Sequence, residues 1–466
     1  MAKYYDELFQ LCGFEDEELN QERSRIEKVL SRLEMGPEDI ERSELWVRQN
    51  HEIELMGLRK ILRLWLKELL DLVLAKEEGR KLVYFGFPAI AGPAGAVAAA
   101  SDEILATCPD AVLCHTMGQI FNNLGPVLEA GEENGLPPGH ALCSLQQVRL
   151  GGMAKGIIPV PDLVLTSSYY CDMGSKNDEL LHERYGHPAV YVDGSMDSRW
   201  GDFPEFLPER VEFLSGQMER IFSKVQEVLG IEVTDEARSE GASRGRDIFA
   251  GLRELVGLMV GADPQPVSIG EVELARRLTI GSSSKRMMLE APAAIGILIQ
   301  EVKERVDRGF GVVEKGAPRV MLHAAHFSDP SIVRMMENCG LSIPQTYLAA
   351  VAKYRRATPF VSGDVVAKEE MERGSFHGNY GLIKRAAEVI KDAGVDGVIW
   401  NYLFHCRPIS QPAYLLKPFV EKETGIPVLA LEFDLADSRT YSAGALRTRI
   451  ETFAEMLRAR KVAAKV

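Results

Sequence analysis

The segment PDLVLTSSYYCD, residues 161–172, decides how the chain is read. Asp162 opens an apolar run that ends near Ser168. Such a run suits a strand buried on both faces of a parallel sheet. Cys171 sits just past its carboxyl end. The arrangement returns far downstream in DGVIWNYLFHC, residues 396–406, where Asp396 opens the run and Cys406 follows it. In open α/β sheets, ligands bind beyond the carboxyl ends of the strands.

Cys143, in the segment CSLQQVRLGG that starts a helix to about Lys155, is the third cysteine of interest. A helix N-terminus favours a thiolate. Three thiolates suit an iron–sulfur cluster with one iron left open, or zinc. Cysteine is also often simply buried, and no C-x-x-C occurs among the seven. A packing role for the three therefore stays open.

Strands are expected at 81–87, 110–115, 162–168 and 188–193, then at 319–323, 395–403 and 426–432. Helices are expected near 118–132, 143–155, 330–338, 378–393, 412–422 and 443–459. Strands alternating with helices give doubly wound parallel sheets. Ile26, Leu30 and Leu33, then Ile53, Leu58 and Leu62, recur at helical spacing, with their charged faces read as solvated. The fold class is α/β: two flavodoxin-like parallel-sheet lobes, a helical N-terminal lobe and a helical connector. The divisions fall at 1–80, 81–203 (with Cys143 and Cys171), 204–314 and 315–466 (with Cys406). The lobes read as a loose internal duplication, with the cysteines in the cleft between them.

With 466 residues, 46% hydrophobic and 26% charged, the chain has ample core for two or three domains. A net charge of −14 argues against nucleic acid or an anionic membrane surface as main partner. The first twenty residues lack an apolar signal core, and the apolar helix at 61–74 is too short to span a membrane. With an odd number of cysteines, a reducing cytoplasm is the expected location. The small-residue turn at 88–95 would suit either an anion or tight strand-to-helix packing. Neither G-x-G-x-x-G nor a P-loop is present, and residues 281–285 (GSSSK) lack the leading glycine of the latter.

CSLQQVRLGG, PDLVLTSSYYCD and DGVIWNYLFHC, with GIPVLALEFDLADSRTYSAGALRTRIETFAEML at 425–457, resemble the 2-hydroxyacyl-CoA dehydratase / benzoyl-CoA reductase family. The similarity is to its catalytic D-component subunits, over about residues 80–200 and 315–460. The resemblance implies a [4Fe-4S] cluster on Cys143, Cys171 and Cys406. It further implies an acyl-CoA substrate, a homologous second subunit or a second copy as partner, and one-electron reduction by an ATP-dependent activator. One low-potential electron would make a ketyl radical from an acyl-CoA, so that a β-hydrogen becomes acidic or an aromatic ring reducible.

Other members imply alternatives. Cys108, Cys114 and Cys339 would complete six ligands for a double-cubane [8Fe-9S] cluster in a homodimeric low-potential reductase. A non-catalytic cluster-carrying subunit is the third reading. The segments PAIAGPAGA and LCHTMGQIFNNLGPVLEAGEENG depart from the family pattern, which leaves the acyl group open.

His115 and His405 are the candidate acid/base groups, because histidine titrates near neutrality. The alternative for each is a hydrogen-bonded structural role. Ser167, Ser168, Tyr169 and Tyr170 flank Cys171 and would donate to cluster sulfurs. Glu432, Asp434, Asp437 and Arg439 would orient a ligand or make loop salt bridges. Arg447 and Arg449 are read as surface charges or contacts to that loop, and His323 and His326 lack the spacing of a helical zinc pair.

Overall fold

The computed structural model describes residues 3–86, 90–137, 143–168, 171–193, 208–281, 284–354, 361–372, 378–403, 406, 410 and 413–463. Four helices come first: α1 (Asp6–Leu11), α2 (Asp16–Arg32), α3 (Pro37–Asn50) and α4 (Met56–Leu74). The charged face of α4 is not solvated as expected. Neighbours wrap the helix, and Lys67, Glu68 and Asp71 are buried. Charges in such a place must be partnered. Lys67 reaches Glu18 at 2.5 Å, and Asp71 meets Arg25 at 2.6 Å and Arg286 at 2.9 Å.

The first sheet holds β1 (Lys81–Phe85), β2 (Ile104–Thr107), β3 (Leu163–Ser167) and β4 (Ala189–Val192). Its order is β2-β1-β3-β4, with every pairing parallel. The associated helices are α5 (Ala91–Ala100), α6 (Pro109–Leu113), α7 (Gly125–Glu133), α8 (Ser144–Ala154) and α9 (Asp172–Tyr185). The strand expected at 110–115 is instead α6, continued by a π-helical turn over Cys114–Ile120. Pro109 pre-sets the backbone for a helix start, and a short run buried on all sides does not distinguish helix from strand.

The helices between the sheets are α10 (Pro208–Leu229), α11 (Asp235–Gly261), α12 (Ile269–Gly281) and α13 (Lys285–Asp307). They do more than connect. Gly241 of α11 lies so close to α5 that a Cβ there would sit 2.8 Å from the Ala96 nitrogen. Beyond its other end, Arg319 of the second sheet donates to the Ala262 carbonyl at 3.1 Å.

The second sheet holds β5 (Arg319–Leu322), β6 (Ser342–Thr346), β7 (Gly397–Leu403) and β8 (Val428–Phe433), ordered β6-β5-β7-β8 and parallel throughout. Its helices are α14 (Ser331–Asn338), α15 (Tyr347–Ala350), α16 (Gly363–Glu372), α17 (Gly378–Asp392), α18 (Ala413–Thr424) and α19 (Ala443–Ala463). The sequence does not announce β6, because Ser, Pro and Gln are poor strand formers. Pro344 is tolerated there because β6 is an edge strand.

Relative to chain order, both sheets run 2-1-3-4, the flavodoxin-like order without a fifth strand. The repeat extends to side chains. Asp162 accepts from Leu82 N at 2.7 Å and returns its own N–H to the Leu82 carbonyl at 2.8 Å. Asp396 does the same with Arg319, at 2.8 and 2.7 Å. One apolar core runs from Tyr5 to Leu457 through both sheets, and a second lies on the outer face of β5 and β7 around Trp400. Among the described residues, no helix is long and apolar enough to cross a membrane.

Burial pushes the Glu68 carboxyl up to about 7 from 4.5, assisted by the Asp71 charge. An acid with a raised folded pKa favours the fold fully below its unfolded value, and loses that contribution as pH rises through the folded one. Urea unfolding should therefore show about 3 kcal/mol of stability lost from this group between pH 4.5 and 8. Glu68→Gln should flatten that part of the profile, and an unchanged slope would contradict the assignment.

Candidate functional site

In a 2-1-3-4 parallel sheet the strand order reverses between the first and third strands. The crevice beyond their carboxyl ends is the natural ligand position. Cys171 and Cys406 occupy equivalent places in the two lobes, shortly after β3 and β7. Cys171 has extended backbone and starts α9, while Cys143, also extended, starts α8. The expected helix after Cys143 is present over nearly its full span.

Cys143 is buried, while Cys171 and Cys406 are half-buried. Burial raises the Cys143 thiol well above its usual range; Cys406, Cys171 and Asp434 push in the same direction, and the Gln146 N–H opposes them. Cys143 thus lies within electrostatic reach of both Cys171 and Cys406. Among the described residues, no three His, Cys, Asp or Glu side chains are grouped as ligands of a single metal ion.

The lobes are joined beside Cys143. Ser144 Oγ donates to Asp434, which lies just past β8. The same carboxylate oxygen accepts from Ala436 N at 2.9 Å and Asp437 N at 3.0 Å. Ala436 N also donates to Ser144 Oγ at 3.1 Å. Within the second lobe the loop is held by Phe327 N, which donates to the Leu435 carbonyl at 2.9 Å, and by Tyr441, which donates to Asp329. Asp434 is buried, which raises its carboxyl against the pull of Ser144 and the two amides.

The loop after β8 is therefore a latch between lobes. Arg439 pairs with Asp437 at 2.9 Å and also reaches Glu132 of α7, as expected of loop salt bridges, while Glu432 is exposed. Arg447 pairs at the surface with Glu451, and Arg449 donates to the Ala430 carbonyl of β8.

His115 lies in the core. Its ring stacks on Trp65 with centroids 4.2 Å apart and planes 8° from parallel. Nδ1 donates to the Ala111 carbonyl at 2.5 Å, and Nε2 stands 3.4 Å from an Arg277 nitrogen. Burial and Arg277 lower its pKa well below the usual value, so the ring is neutral. These are the contacts of a packed, hydrogen-bonded histidine.

His405, Tyr169 and Tyr170 lie outside the described residues. Ser168 donates to Asp193 at 2.6 Å. His326 Nδ1 accepts from Asp329 N at 3.0 Å, and His323 stacks on Trp400 at 4.2 Å. Cys108 and Cys114 are fully buried around α6. Cys339 sits under α19 among Glu451, Arg447 and Arg458.

Sequence reasoning passed over Ser144, and also Arg149, Asp110 and Asp178. The guanidinium of Arg149 bridges the two buried carboxylates. The available signal was a charged residue between Val148 and Leu150 on an otherwise uncharged helix.

A family model for the 2-hydroxyglutaryl-CoA dehydratase D-component matches residues 104–457. The chain belongs to this D-component family. The match begins at β2 and leaves the N-terminal helices outside. The chain is similar to the alpha subunit of (R)-2-hydroxyglutaryl-CoA dehydratase from Acidaminococcus fermentans, 23% identical over 310 residues, covering 65% of this chain and 61% of the relative. The alpha subunit of (R)-phenyllactyl-CoA dehydratase from Clostridium sporogenes is 22% identical over 333 residues, 70% of this chain and 78% of its own. A subunit of benzoyl-CoA reductase from Thauera aromatica is 21% identical over 351 residues, 68% and 78% respectively. The chain thus spans 61% to 78% of the length of these relatives.

In this D-component chain, Ser144→Ala would leave the buried Asp434 short of a donor. A loss of about 1–3 kcal/mol is expected in urea or thermal unfolding. Ser168→Ala, whose partner Asp193 lies at the surface, should stay within about 0.5 kcal/mol. Equal effects would remove the latch from the account of interlobe stability.

Proposed function

We propose that this chain is the cluster-bearing catalytic subunit of a radical 2-hydroxyacyl-CoA dehydratase or benzoyl-CoA-reductase-type enzyme. The supporting observation is that Cys143 lies within electrostatic reach of Cys171 and Cys406, which follow equivalent strands of the two lobes. The donor set fits a [4Fe-4S] cluster. A cubane carries its irons at separate corners, so its cysteines need not close on one point as ligands of a single ion do. Bound by Cys143, Cys171 and Cys406, it would leave one iron without a protein thiolate and supply one-electron transfer and Lewis acidity.

The chain's own groups would bind and shield. The N-termini of α8 and α9 favour negative charge where Cys143 and Cys171 stand. The latch of Ser144 and Asp434 joins the first lobe to the second beside Cys143. The substrate would be an acyl-CoA. Each of the relatives is named as one subunit of its enzyme, which supports a second subunit as partner. The sequence has no P-loop, so ATP hydrolysis would belong to a separate activator.

Protein purified without oxygen should carry about four irons and four sulfides per chain. Cys143→Ala, Cys171→Ala and Cys406→Ala should each lower that content, while Cys339→Ala should leave it unchanged. About eight irons per chain would favour the double-cubane reductase. A folded chain without iron would refute the cluster.

A further inference from the structure

Arg149 is fully buried, as are Asp110 and Asp178 beside it. Its Nε donates to Asp110 Oδ1 at 2.9 Å, Nη2 donates to Asp110 Oδ2, and Nη1 donates to Asp178 Oδ1. One planar fork therefore ties three helices, α6, α8 and α9. Gly86, just past β1, closes the fourth side. A Cβ there would lie 2.9 Å from Asp178 Oδ2 and 3.0 Å from Arg149 Nη2, so the clasp needs a residue without a side chain.

The clasp has a definite relation to the sulfurs. Cys143 stands six residues before Arg149 at the start of α8, and Cys171 stands seven residues before Asp178 at the start of α9. At 1.5 Å per residue, the clasp lies about 9 Å below one cysteine and about 10 Å below the other. It ties the two helices at similar distances, counted along each helix, from their N-termini.

Stability alone is a weak reason to bury a cation with two carboxylates. Desolvation offsets most of the attraction, and apolar residues of similar volume often serve as well. A rigid bidentate fork does supply fixed geometry, which an apolar contact does not.

We infer that Arg149, clasped by Asp110 and Asp178, is a positioning residue that sets the spacing of Cys143 and Cys171 for their shared inorganic ligand. The inference rests on the cluster reading for the identity of that ligand. It does not rest on it for the spacing.

The test has two readouts. The first is iron loss to a chelator from anaerobically purified protein. The second needs no metal: apo protein in a Cys406→Ser background is treated with bis-maleimides of graded span, and the yield of Cys143–Cys171 linkage is read by mass spectrometry.

Arg149→Met alone strands two buried acids and risks misfolding. The informative variants are therefore Arg149→Lys and the volume-matched triple change Asp110→Leu, Arg149→Met, Asp178→Leu, each checked by circular dichroism and thermal midpoint. The folded triple variant should lose about 10–100-fold in metal affinity, as supporting partners of ligands do. Its linkage yield should spread across spans where the native protein prefers one, and Arg149→Lys should fall between the two.

A folded triple variant with native iron retention and a native span profile would overturn the positioning role. If the native protein binds no iron but the span profile still broadens in the triple variant, the cluster reading fails and the positioning role stands. If misfolding removes the triple variant, a native profile in Arg149→Lys overturns the inference, and a broadened one supports it.

Discussion

A carboxylate at the amino end of the third strand sets the height of everything beyond it in each lobe. Asp162 and Asp396 grip the first strand with a reciprocal pair of hydrogen bonds, side chain to N–H and N–H to carbonyl. Each is also paired with a lysine, Lys76 or Lys461. Strand registry is then fixed at one edge, and because the side-chain period is two, a slip of one residue would exchange the side chains packed on the two buried faces. Cys171 and Cys406 emerge at the opposite edge at heights those two aspartates determine. Two copies of one bracket thus place one sulfur per lobe.

The third sulfur has no counterpart in that repeat. Cys143 is delivered by α8, and its position depends on two unlike contacts. Below it, α8 is clasped to α6 and α9 through Arg149. Above it, Ser144 meets Asp434 from the other lobe. The first contact is ionic and deep within one lobe. The second is a hydrogen-bonded seam between lobes, extended by the pairing of Arg439 with Glu132. Cys143 is thus an asymmetric third thiol beside a pseudo-symmetric pair.

Much of this was legible in the sequence. An aspartate, a buried run and a cysteine in fixed order occur twice, and that repetition carries the two parallel sheets and the placement of Cys171 and Cys406 past equivalent strands. What was not legible depends on partners far apart in the chain. Ser144 and Asp434 are 290 residues apart, so neither announces the other. Arg149 reads as a stray charge until Asp110 and Asp178 are folded against it. The helix at 109–113 failed as an expected strand because periodicity is silent where every face is buried. His115 illustrates the same limit. A histidine at the end of an apolar run is compatible with chemistry or packing, and Trp65 from the N-terminal helices is what fills its flank.

Helix α11 has 27 residues and is therefore about 40 Å long. It touches α5 of the first lobe through Gly241, and the segment beyond its other end is tied to β5 of the second through Arg319. It is a strut laid across both lobes, embedded in a core shared by both. A jaw-like opening would tear that core, so the two lobes keep one separation once the chain has folded. Any ligand taken up between them would have to enter without the lobes parting.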